Sequence, residues 1–143
     1  MRRVAHFSLI ATIGLGVNCG TAETPTSPTT TEVVTARVVV FSGTLSVGGS
    51  RFYSFTASQA GTATLTLASL ARGANGPAVP ATVGLGLGIP SGADCAMTSS
   101  VTTGAMLTAQ ITGDLQPGIY CARIADVGSL TEPVSFAIRI VFP

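Results

Sequence analysis

The sequence predicts an all-β fold, a two-sheet antiparallel β-sandwich of jelly-roll type with about eight strands. Beyond residue 33, apolar and polar residues alternate with a period of two in several short runs, and no segment shows a helical period. Gly, Pro, Ser and Asn separate these runs, as they do in strand-turn-strand sequences. Hydrophobic residues make up 46% of the chain and charged residues 9%, and Trp is absent. This composition is typical of an extracellular β-domain.

The first two strands are predicted at residues 34–45 and 51–57, with a turn at Gly48-Gly49-Ser50 between them. In the second strand Tyr53 and Phe55 share a face, so we expect their rings to form a pair in the core.

A third strand is predicted at residues 62–70, and a long Gly/Asn/Pro-containing loop follows at residues 72–80. Threonines line the solvated face of this strand, which is normal for an antiparallel sheet with one side in water. Its core face is expected to hold four residues: Ala63, Leu65, Leu67 and Ser69. Further strands are predicted at residues 83–89, 95–99, 105–112, 116–127 and 134–142.

Glycines occupy every second position of the strand at residues 83–89. Gly84, Gly86 and Gly88 therefore form a smooth strip on one face of the sheet. One interpretation is that aromatic or Arg side chains of a neighbouring strand lie across the strip, and the other is that it forms a groove for a ligand or a partner's backbone. A phosphate-binding loop is excluded because no helix follows the glycines.

The central strand is predicted at residues 116–127. Tyr120 and Ile124 alternate with Cys121 and Arg123, so one face of the strand points into the core and the other carries the arginine. Because Tyr120 directly follows a Pro-Gly turn, we expect it to bury its ring and to hydrogen-bond a nearby backbone group through its hydroxyl.

The N-terminal region predicts export. Residues 1–22 read as a signal peptide, because two arginines precede an apolar run that is too short to span a bilayer of roughly 30 Å. Residues 23–33 form a Thr/Pro/Ser-rich linker that we expect to be disordered, and residues 34–143 form the β-sandwich domain.

Two cleavage sites are compatible with this signal peptide. Cleavage before Cys19 would make this cysteine the acylated first residue of a lipoprotein, whereas cleavage after Ala22 would release a soluble protein. The polar linker favours a tethered lipoprotein, but Gly16 and Asn18 depart from the residues that usually precede a lipidated cysteine. Both alternatives stay open.

Few residues offer catalytic or metal-binding chemistry. The only histidine is His6, inside the predicted signal peptide, and the chain has no lysine, which removes the usual base of a Ser-His-Asp triad and most transition-metal sites. Cys95 and Cys121 remain once Cys19 is set aside, and export predicts a disulfide between them. Asp114 and Asp126 precede turns, so we expect them to cap turn backbone. No catalytic residue, metal or cofactor is expected.

Three sequence blocks together resemble the bacterial pre-peptidase C-terminal domain, a small β-sandwich appended to secreted proteases and other extracellular proteins. The blocks are G-T-L-S-V-G-G-S-R-F-Y-S-F-T at residues 43–56, L-Q-P-G-I-Y-C-A-R-I at residues 115–124 and S-F-A-I-R-I at residues 135–140. The resemblance implies a β-sandwich in an exported protein. Family members that bind calcium often have Asp before the Y-x-F pair and an Asp-rich approach to the middle strand, where this chain has Arg51 and residues 80–82, so no calcium site of that type is expected.

Taken together, the sequence predicts a non-catalytic, exported bacterial module that binds an extracellular glycan or protein at the cell surface. The alternative is a structural subunit of the envelope that self-associates through its edge strands. Nucleic acid is not an expected partner because no basic patch is present, and contact with a membrane is expected only through a lipid on Cys19. The predicted location is the cell envelope or the extracellular medium.

Overall fold

A computed structural model describes residues 35–143, and these residues form eight β-strands and no helix. The predicted signal peptide, Cys19 and the linker lie outside the described residues. The strands are β1 (Arg37–Leu45), β2 (Ser50–Ala57), β3 (Gly61–Ala71), β4 (Val83–Ser91), β5 (Asp94–Thr103), β6 (Ile111–Leu115), β7 (Gly118–Asp126) and β8 (Val134–Phe142).

The strands form two antiparallel four-stranded sheets. One sheet has the order β1-β8-β3-β6 and the other the order β2-β7-β4-β5. The pairs are nested along the chain, with β1 against β8, β2 against β7, β3 against β6, and β4 against β5. Alternate pairs lie in opposite sheets, which is the strand order of a jelly roll, so the predicted fold class is confirmed.

The core lies between the two sheets and is made of the inward faces of their strands. In β3, β4, β7 and β8 every second side chain is an aliphatic or aromatic residue that points inward, because side chains alternate across a strand. The largest fully buried side chains include Leu45, Leu65, Leu67, Leu70, Leu85, Ile124, Ile138 and Ile140. Burying each of them contributes roughly 1.5–3 kcal/mol.

The predicted aromatic pair of β2 is only half correct. Phe55 is buried, but Tyr53 is 37% exposed and lies at the edge of the core. Its ring stacks on that of Phe41 in β1, with 5.4 Å between the ring centroids, and Phe41 also meets Phe136 edge to face. These rings close the side of the sandwich where β1 and β2 are the edge strands of their sheets.

A β-bulge changes the core face of β3. The register of β3 against β8 shifts between Leu67 and Ser69, so that the strand has one extra residue there. After the shift Leu70 is buried and Ser69 is exposed, which contradicts the predicted inward position of Ser69.

The predicted strand at residues 105–112 is also wrong, since β6 begins only near the end of that range. The preceding residues nevertheless run beside β3. The N–H of Met106 donates to the carbonyl of Leu67, and that of Gln110 donates to the carbonyl of Leu65, at 2.9 and 3.0 Å. These two hydrogen bonds satisfy backbone carbonyls at the edge of β3, although residues 105–110 do not form a regular strand beside it.

Tyr120 fixes the start of the central strand, β7. Its hydroxyl donates to the carbonyl of Gln116 at 3.0 Å and accepts from the N–H of the same residue at 3.1 Å. The expected bond between this hydroxyl and nearby backbone is therefore confirmed, and it holds the turn before β7 against the ring.

Candidate functional site

The outer face of the β2-β7-β4-β5 sheet combines aromatic, charged, hydroxyl and glycine residues. The strand registers place Phe52, Arg123, Gly86 and Ser100 in one row across this face. Arg123 points outward because Ala122 and Ile124, its neighbours in β7, are both buried in the core. The prediction that the outer face of the central strand carries this arginine is confirmed.

The structure places the predicted glycine strip on β4, in the middle of this sheet. Gly84 is half-buried, while Gly86 and Gly88 are buried. A side chain at Gly86 would overlap Met97, and one at Gly84 would lie 3.3 Å from Val127. The side chains nearest to these two glycines are therefore a methionine and a valine.

A second bulge explains why Met97 reaches the strip. The register between β4 and β5 shifts after Leu87, and Thr98 is the extra residue. Beyond the shift the backbone of Ala96 approaches Gly88 so closely that a Cβ at this glycine would lie 2.1 Å from the Ala96 oxygen. Gly88 therefore has a packing role, because only glycine leaves room for the neighbouring strand.

A groove of about 300 Å³ remains open over the first part of the strip. Its floor is the backbone of β4, which is uncovered because Gly84 has no side chain. Arg123 and Val127 form the wall on the β7 side. The opposite wall comes from β5 and is made of Met97, Ser100, Val101 and Thr102.

Arg123 supplies the positive charge of the groove. Its side chain is 24% exposed, and its Nε lies 3.3 Å from the Asp94 Oδ1 in an ion pair. Within residues 35–143 the buried Nε–H has no hydrogen-bond acceptor in line with it, so this contact is electrostatic only. Since the Asp94 side chain is 64% exposed, its ion pair is worth little and another carboxylate could replace it.

The predicted disulfide is present on the same outer face. Cys95 in β5 and Cys121 in β7 are bonded, with 5.9 Å between their Cα atoms. Both side chains are buried. Cys121 is paired with Gly88 of β4, and the backbone of β5 at Ala96 lies against the outer face of this glycine, which brings Cys95 within reach of Cys121.

Asp126 joins two loops at one end of the sandwich. Its Oδ2 accepts a 2.8 Å hydrogen bond from the N–H of Gly48 in the β1–β2 turn. Its Oδ1 accepts from the N–H groups of Gly128, Ser129 and Leu130 at 2.9, 3.0 and 3.2 Å. These donors, the Gly48 N–H first, hold the pKa of the Asp126 carboxyl below its usual value. The expectation that Asp126 caps a turn is confirmed.

We expect Asp126→Asn to lower the melting temperature at neutral pH, because the amide cannot accept the same donors as a charged carboxylate. A carboxyl whose pKa is lowered in the folded state stabilises the fold above the unfolded pKa of about 3.9, and this contribution disappears as the pH falls through the folded pKa. The melting temperatures of the parent and the variant should therefore converge in acid. Thermal unfolding at a series of pH values checks this.

Asp114→Asn is the matched control for this experiment, because Asp114 does not join two loops. Contrary to expectation, no N–H of a turn within residues 35–143 donates to its carboxylate. It accepts a 2.8 Å hydrogen bond from the hydroxyl of Thr62 on the neighbouring strand β3. If Asp114→Asn lowers the melting temperature as much as Asp126→Asn does, and with the same dependence on pH, the contacts between the two loops do not explain the effect at Asp126.

Another cavity, of about 850 Å³, lies between the loop at residues 72–82 and the end of β3. Its walls are mostly alanine, glycine, proline and valine, and no charged side chain lines it. It therefore offers less for specific recognition than the smaller groove beside Arg123.

In the part of the chain that the structure describes, no three His, Cys, Asp or Glu side chains cluster closely enough to hold a metal ion. Nor do residues 35–143 contain a helix that is long and apolar enough to cross a membrane. No protein-family model matches the sequence, and no curated protein matches it.

The sequence identified one wall of the groove but not the other. Alternation along β7 was enough to turn Arg123 outward. Met97, Ser100 and Thr102 were missed because their positions depend on the bulge at Thr98, which the β4–β5 pairing creates. No local sequence signal distinguishes that residue from its neighbours.

Proposed function

We propose that this protein is a non-catalytic binding module that a bacterium exports to its surface, where the groove beside Arg123 binds an acidic glycan. The observation that supports this most directly is the composition of the groove. An arginine, two hydroxyl residues and three exposed apolar residues line a groove with a glycine floor. This combination suits a ligand that has a carboxylate, several hydroxyl groups and a small apolar face.

A glycan fits these dimensions better than a protein partner does. A stable protein interface buries at least about 1,000 Å² in total and usually contains several aromatic anchors. The groove is close to the lower limit for ligand sites, about 300 Å³, and Phe52 is the only aromatic side chain in its row. A single sugar unit with a carboxylate near Arg123 would occupy it.

The proposed location rests on the sequence of the first 33 residues. An exported module reaches an extracellular glycan either as a soluble protein or as a lipoprotein acylated on Cys19, and the Cys95–Cys121 disulfide agrees with an oxidising compartment. Intact mass spectrometry of the mature protein distinguishes these forms. A mass that includes the uncleaved signal peptide would contradict export.

The resemblance to the pre-peptidase C-terminal domain fits the same proposal, since that domain accompanies extracellular proteins. A self-associating structural subunit is the second candidate, favoured by the open edge of β5.

We expect Arg123→Gln to weaken binding of polygalacturonate at least about tenfold, because the variant loses the charge-assisted contact to the carboxylate. Isothermal titration calorimetry with short galacturonate oligomers measures this. Fully methyl-esterified oligomers have the same backbone without the charge, and they should bind the parent about as weakly as the acidic oligomers bind the variant.

Arg139→Gln is the matched protein control, because Arg139 is an exposed arginine on the outer face of the other sheet. It should leave binding unchanged. If both variants lose the same affinity, the oligomer is attracted by the net charge of the protein and does not bind at a specific site. If the parent binds neither this oligomer nor other uronate oligomers, the acidic-glycan proposal is wrong, and an acidic protein partner would be the next candidate.

A further inference from the structure

Strand β5 is an edge strand, and no other strand within residues 35–143 pairs with its outer side. It pairs only with β4, and eight of its ten residues are exposed. Both of its faces are accessible because its counterpart in the other sheet, β6, has only five residues. Even Val101, whose partner Leu85 is fully buried in the core, is 36% exposed.

Strand β5 has few of the features that prevent an exposed edge strand from pairing with a strand of another molecule. Natural edge strands are usually short, carry lysines or prolines, or are covered by a loop. Strand β5 has no proline or basic residue, and its only charge is Asp94 at its first position. The bulge at Thr98 interrupts it, but the five residues that follow, 99–103, pair regularly with β4. On the opposite side of the sandwich, stacked Phe41 and Tyr53 close the gap between the edges.

The sequence of this regular part is symmetric in residue type. It reads Ser-Ser-Val-Thr-Thr, with Val101 at its centre. Two antiparallel copies aligned on Val101 would place valine opposite valine, Ser99 opposite Thr103 and Ser100 opposite Thr102. Such valine and hydroxyl pairs are favourable across strands. The two Asp94 carboxylates would lie roughly 45 Å apart along the strands, so no like charges would meet.

We infer that the edge of β5 pairs with the same edge of a second copy of this chain, in an antiparallel two-fold dimer centred on Val101. The two sheets then form one continuous sheet of eight strands. A two-fold interface must be self-complementary, and the Ser-Ser-Val-Thr-Thr segment meets this condition. A partner peptide would gain nothing from that symmetry, which is why a second copy is the favoured occupant.

The dimer would also place two grooves side by side. The two-fold axis is perpendicular to the sheet, so both outer faces point in the same direction. Ser100 and Thr102 line the groove and also belong to the proposed contact, so the grooves of the two copies would adjoin there. This consequence rests on the proposed glycan-binding function, and a multivalent glycan would then bind with avidity. The pairing itself does not depend on it.

The test is the molar mass of the purified protein in the absence of any glycan, measured by sedimentation equilibrium over a wide range of concentration. We expect a monomer–dimer equilibrium for the parent. Val101→Lys and Val101→Asp should each raise the dimer dissociation constant at least about tenfold, because like charges then face each other across the axis. An equimolar mixture of the two variants should restore the dimer.

Val47→Lys is the control, because Val47 is an exposed valine, 52% accessible, in the β1–β2 turn and outside β5. It should dimerise like the parent. A parent that stays monomeric at all concentrations, or a mixture that does not dimerise, would overturn the proposal. If the variants unfold, hydrogen exchange of the parent decides instead, since the proposal requires protection at residues 99–103 that increases with concentration. A dimer without glycan affinity would contradict only the proposed function.

Discussion

Alanine at Gly88 is expected to destabilise the domain by about 3 kcal/mol, the largest effect that one added methyl group should have on this sheet. The new Cβ would lie 2.1 Å from the Ala96 oxygen and 2.7 Å from the Met97 Cα. Both atoms belong to the backbone of β5, so the overlap can be relieved only if the two strands separate. Urea denaturation of Gly88→Ala against the parent measures the loss.

The other two glycines of β4 provide a matched series. A Cβ at Gly84 would lie 3.3 Å from Val127 Cγ1, a side-chain atom that can turn away, so Gly84→Ala should change the stability by less than about 1 kcal/mol. At Gly86 the overlap is with the flexible end of Met97, and an intermediate loss is expected. Equal stabilities of Gly88→Ala and Gly84→Ala would show that β4 and β5 do not approach as described.

Removing the disulfide is expected to lower the free energy of unfolding about as much as Gly88→Ala does. The bond closes a loop with a sequence separation of 26 residues, and the chain-entropy estimate for such a loop is about 3.5 kcal/mol. Cys95→Ala and Cys121→Ala together remove the bond without leaving a thiol or a buried hydroxyl in its place. Denaturation of the double variant, compared with the oxidised parent, measures the difference in the free energy of unfolding.

The reduced parent serves as the control for this variant. It has the full side chains but no bond, so its stability should fall close to that of the double alanine variant. A parent whose mass does not increase by about two units on reduction would show that the bond does not form in the mature protein. A double variant that is as stable as the oxidised parent would show that β5 needs no attachment to β7.

The period-two pattern was sufficient to predict the fold class, most strand positions and the outward direction of Arg123. It was sufficient because in this chain almost every inward position of β3, β4, β7 and β8 is apolar, so that the pattern follows the core closely. The hydrogen bonds of Tyr120 and Asp126 to nearby backbone were also predictable, since their partners lie only a few residues away in the sequence.

The features that the sequence did not predict all depend on pairing between distant strands. The bulges near Leu67 and at Thr98 exist because of the strands beside them, and each changes which side chains face outward. Residues 105–110 alternate like a strand and do bond to β3, but a side-chain amide, that of Gln110, takes the place of a ladder carbonyl for the N–H of Leu67. The Gly48 partner of Asp126 lies 78 residues away and has no local signal.

The nested pairing of the strands also restricts when the domain can fold. Strand β8 lies between β1 and β3 in its sheet. These two strands therefore cannot be joined in one sheet until β8 is available to pair with both. A chain that is synthesised from its N-terminus therefore exposes β1 and β3 to water, unpaired with β8, until β8 follows. The β4–β5 hairpin, which needs only neighbouring residues, is expected to form first. The addition of β8 is thus the step that completes this sheet during folding.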